Sequence, residues 1–161
     1  MIEQLRQLMT LHANMNASDI EERFEQIAKM LFESFAIQKG ETMYLFKEIE
    51  FYFYNKNHRD IITYPRSSKP LCWHNNRFGG IDLNFESNIE CRESKKYDLD
   101  DTAYFGGILI RQLVCVNEVG NVKVLCGPLK CAELFKHNDT TSSSNEPHLV
   151  KYENGMVGYI R

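Results

Sequence analysis

Four side chains capable of chemistry alternate along one short segment: Glu48, Glu50, Tyr52 and Tyr54. Apolar residues fill the positions between them. This alternation predicts a β-strand with one apolar and one functional face, because successive side chains of a strand point to opposite sides of the sheet. Phenol rings can hold a flat ring by stacking, and carboxylates beside them can transfer a proton next to that ring. Alternatively, the apolar positions face the core and the glutamates simply face water.

The composition is that of an ordinary globular chain. Its 161 residues, 43% hydrophobic and 25% charged, favour one domain over 1–161. We expect no membrane association and no signal peptide, since no apolar run is long enough to span a bilayer. Five cysteines without a Cys-x-x-Cys pair indicate reduced thiols, and hence a cytoplasmic protein without a zinc site. We expect no cofactor and no metal.

Charge is unevenly distributed along the chain. The net charge of −3 and the pI of about 6.0 argue against a generic nucleic-acid binder. However, residues 55–81 contain five cations and one acid, whereas residues 82–101 contain seven acids and three cations. The basic segment also carries aromatic residues, so it could hold a phosphate backbone while rings engage bases. The two segments could instead be solvated loops of opposite sign that attract each other.

Helical periodicity covers the first part of the chain and strand periodicity the rest. Apolar spacing predicts helices over about 2–13 and after a capping box formed by Ser18 and Glu21, with the helical part reaching residue 38. Strands are predicted over 43–54, 71–74, 80–85, 103–118 and 122–125, followed by a short helix from Gly127-Pro128 to about 135. Residues 137–146 are predicted to be a flexible loop, and Asn154-Gly155 to be the turn of a hairpin pairing 149–152 with 156–160.

This order of elements predicts an α+β fold. The N-terminal helices would pack on a curved, mainly antiparallel sheet built from residues 41–161, with one short late helix.

Four motifs follow one another over about residues 41–135. They are a Glu-x-Glu-x-Tyr strand at 48–52, an aromatic-rich hairpin at 73–84, a Leu-Ile-Arg-Gln-Leu strand at 109–113 and a Cys-Gly-Pro-Leu-Lys turn at 126–130. In type and order these motifs resemble the 3-methyladenine (alkylpurine) DNA glycosylase family, whose members excise damaged purines.

The resemblance implies a role for each matching residue of the base pocket. Glu50 corresponds to the catalytic base, and Arg111 would lie beside it and its water. Tyr52 and His74 correspond to positions that stack on the excised base, and Asn84 to a pocket asparagine. From the residues alone, Arg111 could equally form a simple salt bridge with either glutamate, and Asn84 could be a strand-end residue that satisfies backbone groups.

The resemblance also implies a DNA-binding surface. His58 would contact the flipped nucleotide, and Arg77 or Phe78 at the hairpin tip would fill the gap that the nucleotide leaves. From the residues alone, Lys56, His58 and Arg59 could contact phosphates. Alternatively, His58 could simply be an exposed loop residue.

The activity implied is DNA repair by base excision. The protein would flip an alkylated or deaminated purine out of damaged DNA and hydrolyse its N-glycosidic bond with a glutamate-activated water. No lysine is placed to form a Schiff base, so the glycosylase would be monofunctional. The alternatives are a non-catalytic module that binds a base, nucleotide or nucleic acid on the same fold, and a protein-interaction domain. The sequence leaves the oligomeric state open.

Overall fold

The computed structural model describes residues 1–66, 69–89, 99–116, 122–136, 146–154 and 158–161. Within these residues the helices are α1 (Ile2–Leu8), α2 (Ala17–Ser34) and α3 (Pro128–Ala132), the last continued by a 3-10 turn at Glu133–Phe135. The strands are β1 (Phe35–Lys39), β2 (Thr42–Asn55), β3 (His58–Arg59), β4 (Trp73–Asn75), β5 (Ile81–Asn84), β6 (Phe105–Val116), β7 (Val122–Cys126), β8 (His148–Lys151) and β9 (Tyr159–Ile160).

The strands form a sheet in the order β4-β5-β6-β2-β1-β8, with β3 and β9 also bonded to β2 and β7 bonded to β6. The pairs β1–β2, β1–β8, β2–β3, β5–β6 and β6–β7 are antiparallel, and β2–β9 is parallel. The predicted α+β class and the mainly antiparallel sheet are confirmed. The predicted strands and the late helix correspond to β2, β4, β5, β6, β7 and α3.

The chain divides into two compact units. The first unit comprises Met1–Ile27, Phe51–His74 and Asp82–Leu109. The second unit comprises Ala28–Glu50, Asn75–Ile81 and Ile110–Arg161.

Aromatic packing joins helix to strand in the first unit. The ring of Phe24 on α2 stacks on Phe51 of β2, with centroids 4.4 Å apart and planes at 12°. Phe85 packs beside both rings, 5.9 Å from Phe24 and 6.3 Å from Phe51. The helical apolar stripe therefore belongs to the core of this unit, as the periodicity predicted.

Side chains cap the two N-terminal helices. Asn16 Oδ1 accepts the backbone N–H of Asp19 at 2.8 Å, which makes Asn16 the capping residue of α2. The predicted capping residue Ser18 is therefore wrong, because the helix begins before it. Helix α1 ends at Leu8 rather than near residue 13, and its terminal carbonyl accepts a hydrogen bond from Arg23 Nη1 at 3.1 Å.

The second unit corrects the predicted end of the helical part. Helix α2 ends at Ser34, and Phe35, Ala36 and Ile37 form a buried strand rather than a last helical turn to residue 38. That strand lies between β2 and β8 and pairs with both, so both of its backbone edges are hydrogen-bonded. Gly40, with φ 60, lies in the turn to β2.

Among the described residues, the predicted hairpin pairing of 149–152 with 156–160 is not formed. Strand β8 pairs with β1, and β9 pairs in parallel with β2. Asn154 donates its backbone N–H to Glu33 O at 2.9 Å, which attaches this segment to the end of α2. Residues 155–157, most of the predicted loop 137–146 and residues 90–98 of the acidic stretch lie outside the described residues.

Candidate active site

Strands β2 and β6 bring Glu50 and Arg111 together in the second unit. Arg111 Nη1 donates to Glu50 Oε2 at 2.8 Å. Arg111 Nε lies 3.5 Å from Glu48 Oε1, an ion-pair distance without the geometry of a hydrogen bond. The Arg111 side chain is 19% exposed and that of Glu50 23% exposed. The contact is therefore partly shielded, which strengthens it relative to an open surface pair, while water still reaches the carboxylate.

Strand β9 adds a second arginine to this group. Its pairing with Glu48 and Ile49 brings the backbone N–H of Arg161 to Ile49 O at 2.9 Å. Arg161 Nη1 then lies 4.0 Å from Glu48 Oε1. We call Glu48, Glu50, Arg111 and Arg161 the carboxylate–arginine cluster. Sequence reasoning missed Arg161, because a two-residue parallel pairing leaves no periodic signal.

The backbone under Arg111 is also held. Gly127 donates its N–H to Arg111 O at 2.8 Å, at the point where β7 ends and α3 begins. The predicted Cys-Gly-Pro turn is thereby fixed to the strand that carries the guanidinium group.

Cys131, on α3, is unsuited to nucleophilic chemistry. Burial raises the pKa of its thiol to about 12, with the Glu48 carboxylate a minor contributor. A thiol with this pKa stays protonated near neutrality, whereas the thiolate is the nucleophilic form. Cys131 therefore adds no nucleophile to the carboxylate–arginine cluster.

The first unit holds the predicted stacking residues. Tyr52 is half-buried, and Gly106 packs against its backbone so closely that a Cβ there would lie 2.1 Å from Tyr52 O. His74 Nε2 lies 2.9 Å from the hydroxyl of Tyr64, with the two rings inclined at 62°. Tyr64 therefore fixes the orientation of His74, a partnership that the sequence did not reveal.

His58 is engaged with the hairpin that it helps to form. Its Nδ1 lies 2.7 Å from Phe53 O, so this nitrogen donates to the carbonyl, and its ring meets Phe24 edge-on at 5.8 Å. Lys56 and Arg59 have exposed side chains on the same hairpin. The cations are available to a phosphate backbone, whereas His58 is partly buried.

The Asn84 side chain is a polar group buried in the first unit. It is fully buried, and neither Nδ2 nor Oδ1 has a hydrogen-bond partner among the described residues. Its backbone is satisfied, since its N–H donates to Cys72 O and its carbonyl accepts from Leu71 N, both at 2.9 Å. Asn84 is the last residue of β5, as the predicted alternative had it, but its side chain satisfies no backbone group within the described chain. An unpaired buried amide costs about 1–3 kcal/mol.

The two buried polar residues of β5 differ in their pairing. Asp82 accepts from Arg66 Nε at 2.9 Å, and both side chains are buried. Arg66 also donates to Thr63 Oγ1 at 2.8 Å. The charges near Asn84 are thus neutralised, while the amide itself is left unpaired.

The tip residues Arg77 and Phe78 belong to the second unit and lie in the turn between β4 and β5. Both are exposed, and Phe78 is 73% exposed. The predicted connection between two strands is confirmed, whereas the role of its tip stays a prediction.

A polar cleft of about 400 Å³ also lies in the first unit, between the loop after α1 and the start of α2. Its lining includes His12, Asp19, Glu22 and Arg23, and it contains none of the predicted site residues.

Comparison with known proteins gave no match: no family model, no curated protein and no solved structure is significantly similar to this chain. In the part of the chain that the structure describes, no helix is long and apolar enough to cross a membrane. The same residues contain no group of three or more His, Cys, Asp or Glu side chains placed to hold a metal ion.

Proposed function

We propose that this protein is a cytoplasmic, monofunctional DNA glycosylase-like hydrolase that removes an alkylated or deaminated purine from damaged DNA. The observation that carries the proposal is the 2.8 Å contact between Arg111 and Glu50. These residues are far apart in the sequence, and the glycosylase-like motifs assign one as the catalytic carboxylate and the other as its neighbour. The contact makes the pair a unit suited to that task.

The proposed chemistry uses Glu50 as a general base. Arg111 holds one carboxylate oxygen and orients the group, and the 23% exposure of the side chain admits a water. Glu50 takes a proton from that water as its oxygen attacks the sugar carbon, while the bond to the base breaks and its electrons leave with the base. The negative charge beside the sugar stabilises the oxocarbenium-like transition state. An alkylated purine carries a positive charge and leaves as a neutral base, and the proton on Glu50 passes to solvent. A deaminated purine leaves as an anion and takes the proton that Glu50 has accepted.

Recognition of the base is assigned to the first unit. Tyr52 and His74 supply flat rings for stacking, worth about 1–3 kcal/mol per base. The unpaired amide of Asn84 supports a binding role, because it offers a donor and an acceptor of the kind that read the edge of a base.

A single-turnover assay of the full chain tests the proposal. Duplexes containing hypoxanthine, ethenoadenine or a methylated purine are incubated with excess protein, and abasic sites are measured. We expect product from the wild type and a loss of at least ~100-fold in Glu50→Gln. Glu41→Gln, in the exposed turn between β1 and β2, is the matched control and should keep full activity. Unchanged turnover in Glu50→Gln contradicts the proposal.

A second candidate function is binding of a base or nucleotide without cleavage. The net charge of −3 favours it, since an enzyme that acts on duplex DNA usually carries a basic balance. This candidate predicts that the wild type and Glu50→Gln bind damaged duplex equally and that neither releases a base.

A further inference from the structure

Two exposed apolar side chains from different elements lie next to Gly79 in the second unit, one beside it in the sequence and one packed near it in space. Phe78, in the β4–β5 turn, is 73% exposed, and Leu129, on the first turn of α3, is 63% exposed. Leu129 packs against the neighbour of Phe78, since a Cβ placed on Gly79 would come within 2.7 Å of Leu129 Cδ2. We call Phe78, Gly79 and Leu129 the apolar tip.

The turn that presents Phe78 is tightly organised. Asn76 Oδ1 accepts the backbone N–H groups of Phe78 at 2.9 Å and Gly80 at 3.0 Å. The backbone of Asn76 is bonded to Gly80 O and to Gly79 N. Gly79 has φ +91, a conformation that residues with a Cβ rarely adopt. The exposed ring is therefore held in place before any partner arrives, which lowers the entropic cost of binding.

Each apolar side chain of the tip has a cation as its neighbour in the sequence. Arg77 precedes Phe78 and Lys130 follows Leu129, and both side chains are exposed. The next acid of this segment, Glu133, comes three residues after Lys130. Exposed apolar groups between cations suit a partner that combines flat apolar faces with regularly spaced negative charge.

We infer that the apolar tip is a contact surface for nucleic acid, in which Phe78 and Leu129 together occupy the space beside an unpaired base and Lys130 binds a flanking phosphate. This inference rests on the proposed function and deepens it, because it assigns Leu129, Lys130 and Asn76 to DNA recognition. Leu129 contacts the nucleic acid and also packs against Gly79 in the turn. Asn76 acts as a positioning residue for Phe78.

The test is fluorescence anisotropy of the full chain with a fluorescein-labelled duplex that carries one unpaired purine, titrated over a range of salt. We expect Phe78→Ala to weaken binding about 10-fold and Leu129→Ala about 5-fold. Lys130→Gln should lower the slope of log affinity against log salt by about 1. Val124→Ala and Lys123→Gln, both exposed on β7, are the matched controls and should bind as the wild type does. Thermal melts check that all variants fold.

The outcomes separate this inference from the proposed function. Binding that depends on Leu129 and Lys130, without abasic product, supports the inference and removes the proposed chemistry. Abasic product with Leu129→Ala and Lys130→Gln behaving like their controls overturns the inference and leaves the chemistry. Wild type that binds no duplex overturns both. A lipid surface is the alternative partner. If the wild type binds vesicles of anionic phospholipid and Leu129→Ala does not, while both bind the duplex equally, the inference is overturned.

Discussion

Replacing Asn84 by leucine should stabilise the protein. The side chain is fully buried, and its amide nitrogen and oxygen make no hydrogen bond within the described chain. Leaving such groups unpaired costs about 1–3 kcal/mol, and a leucine, which is larger but branches at the same side-chain carbon, removes that cost while adding apolar contacts. We therefore expect Asn84→Leu to raise the free energy of unfolding by about 2 kcal/mol, an effect opposite in sign to that of most core substitutions.

Equilibrium urea denaturation measures this change. The midpoint should rise while the slope stays constant, because the same surface is exposed on unfolding. Asp82→Asn provides the contrast, since it lies two positions earlier on the same strand but leaves the buried Arg66 without its counter-charge. We expect that variant to lose about 3–5 kcal/mol.

The opposite result would refute the reasoning. If Asn84→Leu is less stable than the wild type by about 1 kcal/mol or more, the amide must be hydrogen-bonded in solution, for example by a buried water. If the variant is more stable and also loses affinity for damaged duplex, the unpaired amide is a feature kept for binding at the expense of stability.

Two further predictions concern a glycine and a cysteine. Gly106→Ala should lose about 3 kcal/mol in thermal or urea unfolding, because its Cβ would meet Tyr52 O at 2.1 Å and Phe53 Cα at 2.8 Å, both backbone atoms that cannot easily move. Gly127→Ala, which meets nothing within 4 Å but has φ +97, should lose only about 1–2 kcal/mol, and equal losses would contradict the packing argument. The raised pKa of Cys131 favours the neutral thiol in the folded state, so stability should fall as pH rises from about 9, the ordinary value, towards about 12. In the native protein iodoacetamide should modify the exposed Cys126 and spare Cys131, as read by mass spectrometry; equal rates would contradict the assigned burial.

The sequence predicted elements whose signal is local. Strand β2 was recognisable because alternation continues over most of its length, and α3 because a Gly-Pro pair marks its start. Strand β1 was missed because its apolar residues follow directly on the helical stripe of α2. Only pairing with β2 and β8 shows that Phe35–Lys39 is extended.

For the last strands of the chain, a strong local signal predicted a pairing that is not formed. Asn154-Gly155 is a strong local hairpin signal, yet β8 and β9 pair with β1 and β2 instead. A turn signal predicts a partner near in the sequence, whereas the observed partners are strands more than 100 residues earlier in the chain.

The site was predictable in part. The contact between Glu50 and Arg111 was one of the pairings expected from the motifs. The bond from Tyr64 to His74, the place of Arg161 beside Glu48 and the unpaired amide of Asn84 depend on tertiary packing, so no spacing in the sequence could indicate them.

The hydrogen bond from Gly127 to Arg111 has a mechanical consequence. Because of this bond, the start of α3 is tied to the strand that carries the guanidinium group. Leu129 lies two residues beyond Gly127. A partner that displaces the Leu129 side chain therefore also displaces the peptide of Arg111, through one short segment. Displacing the turn must either break the bond or shift the strand, and hydrogen exchange at the Gly127 amide would report which of the two occurs.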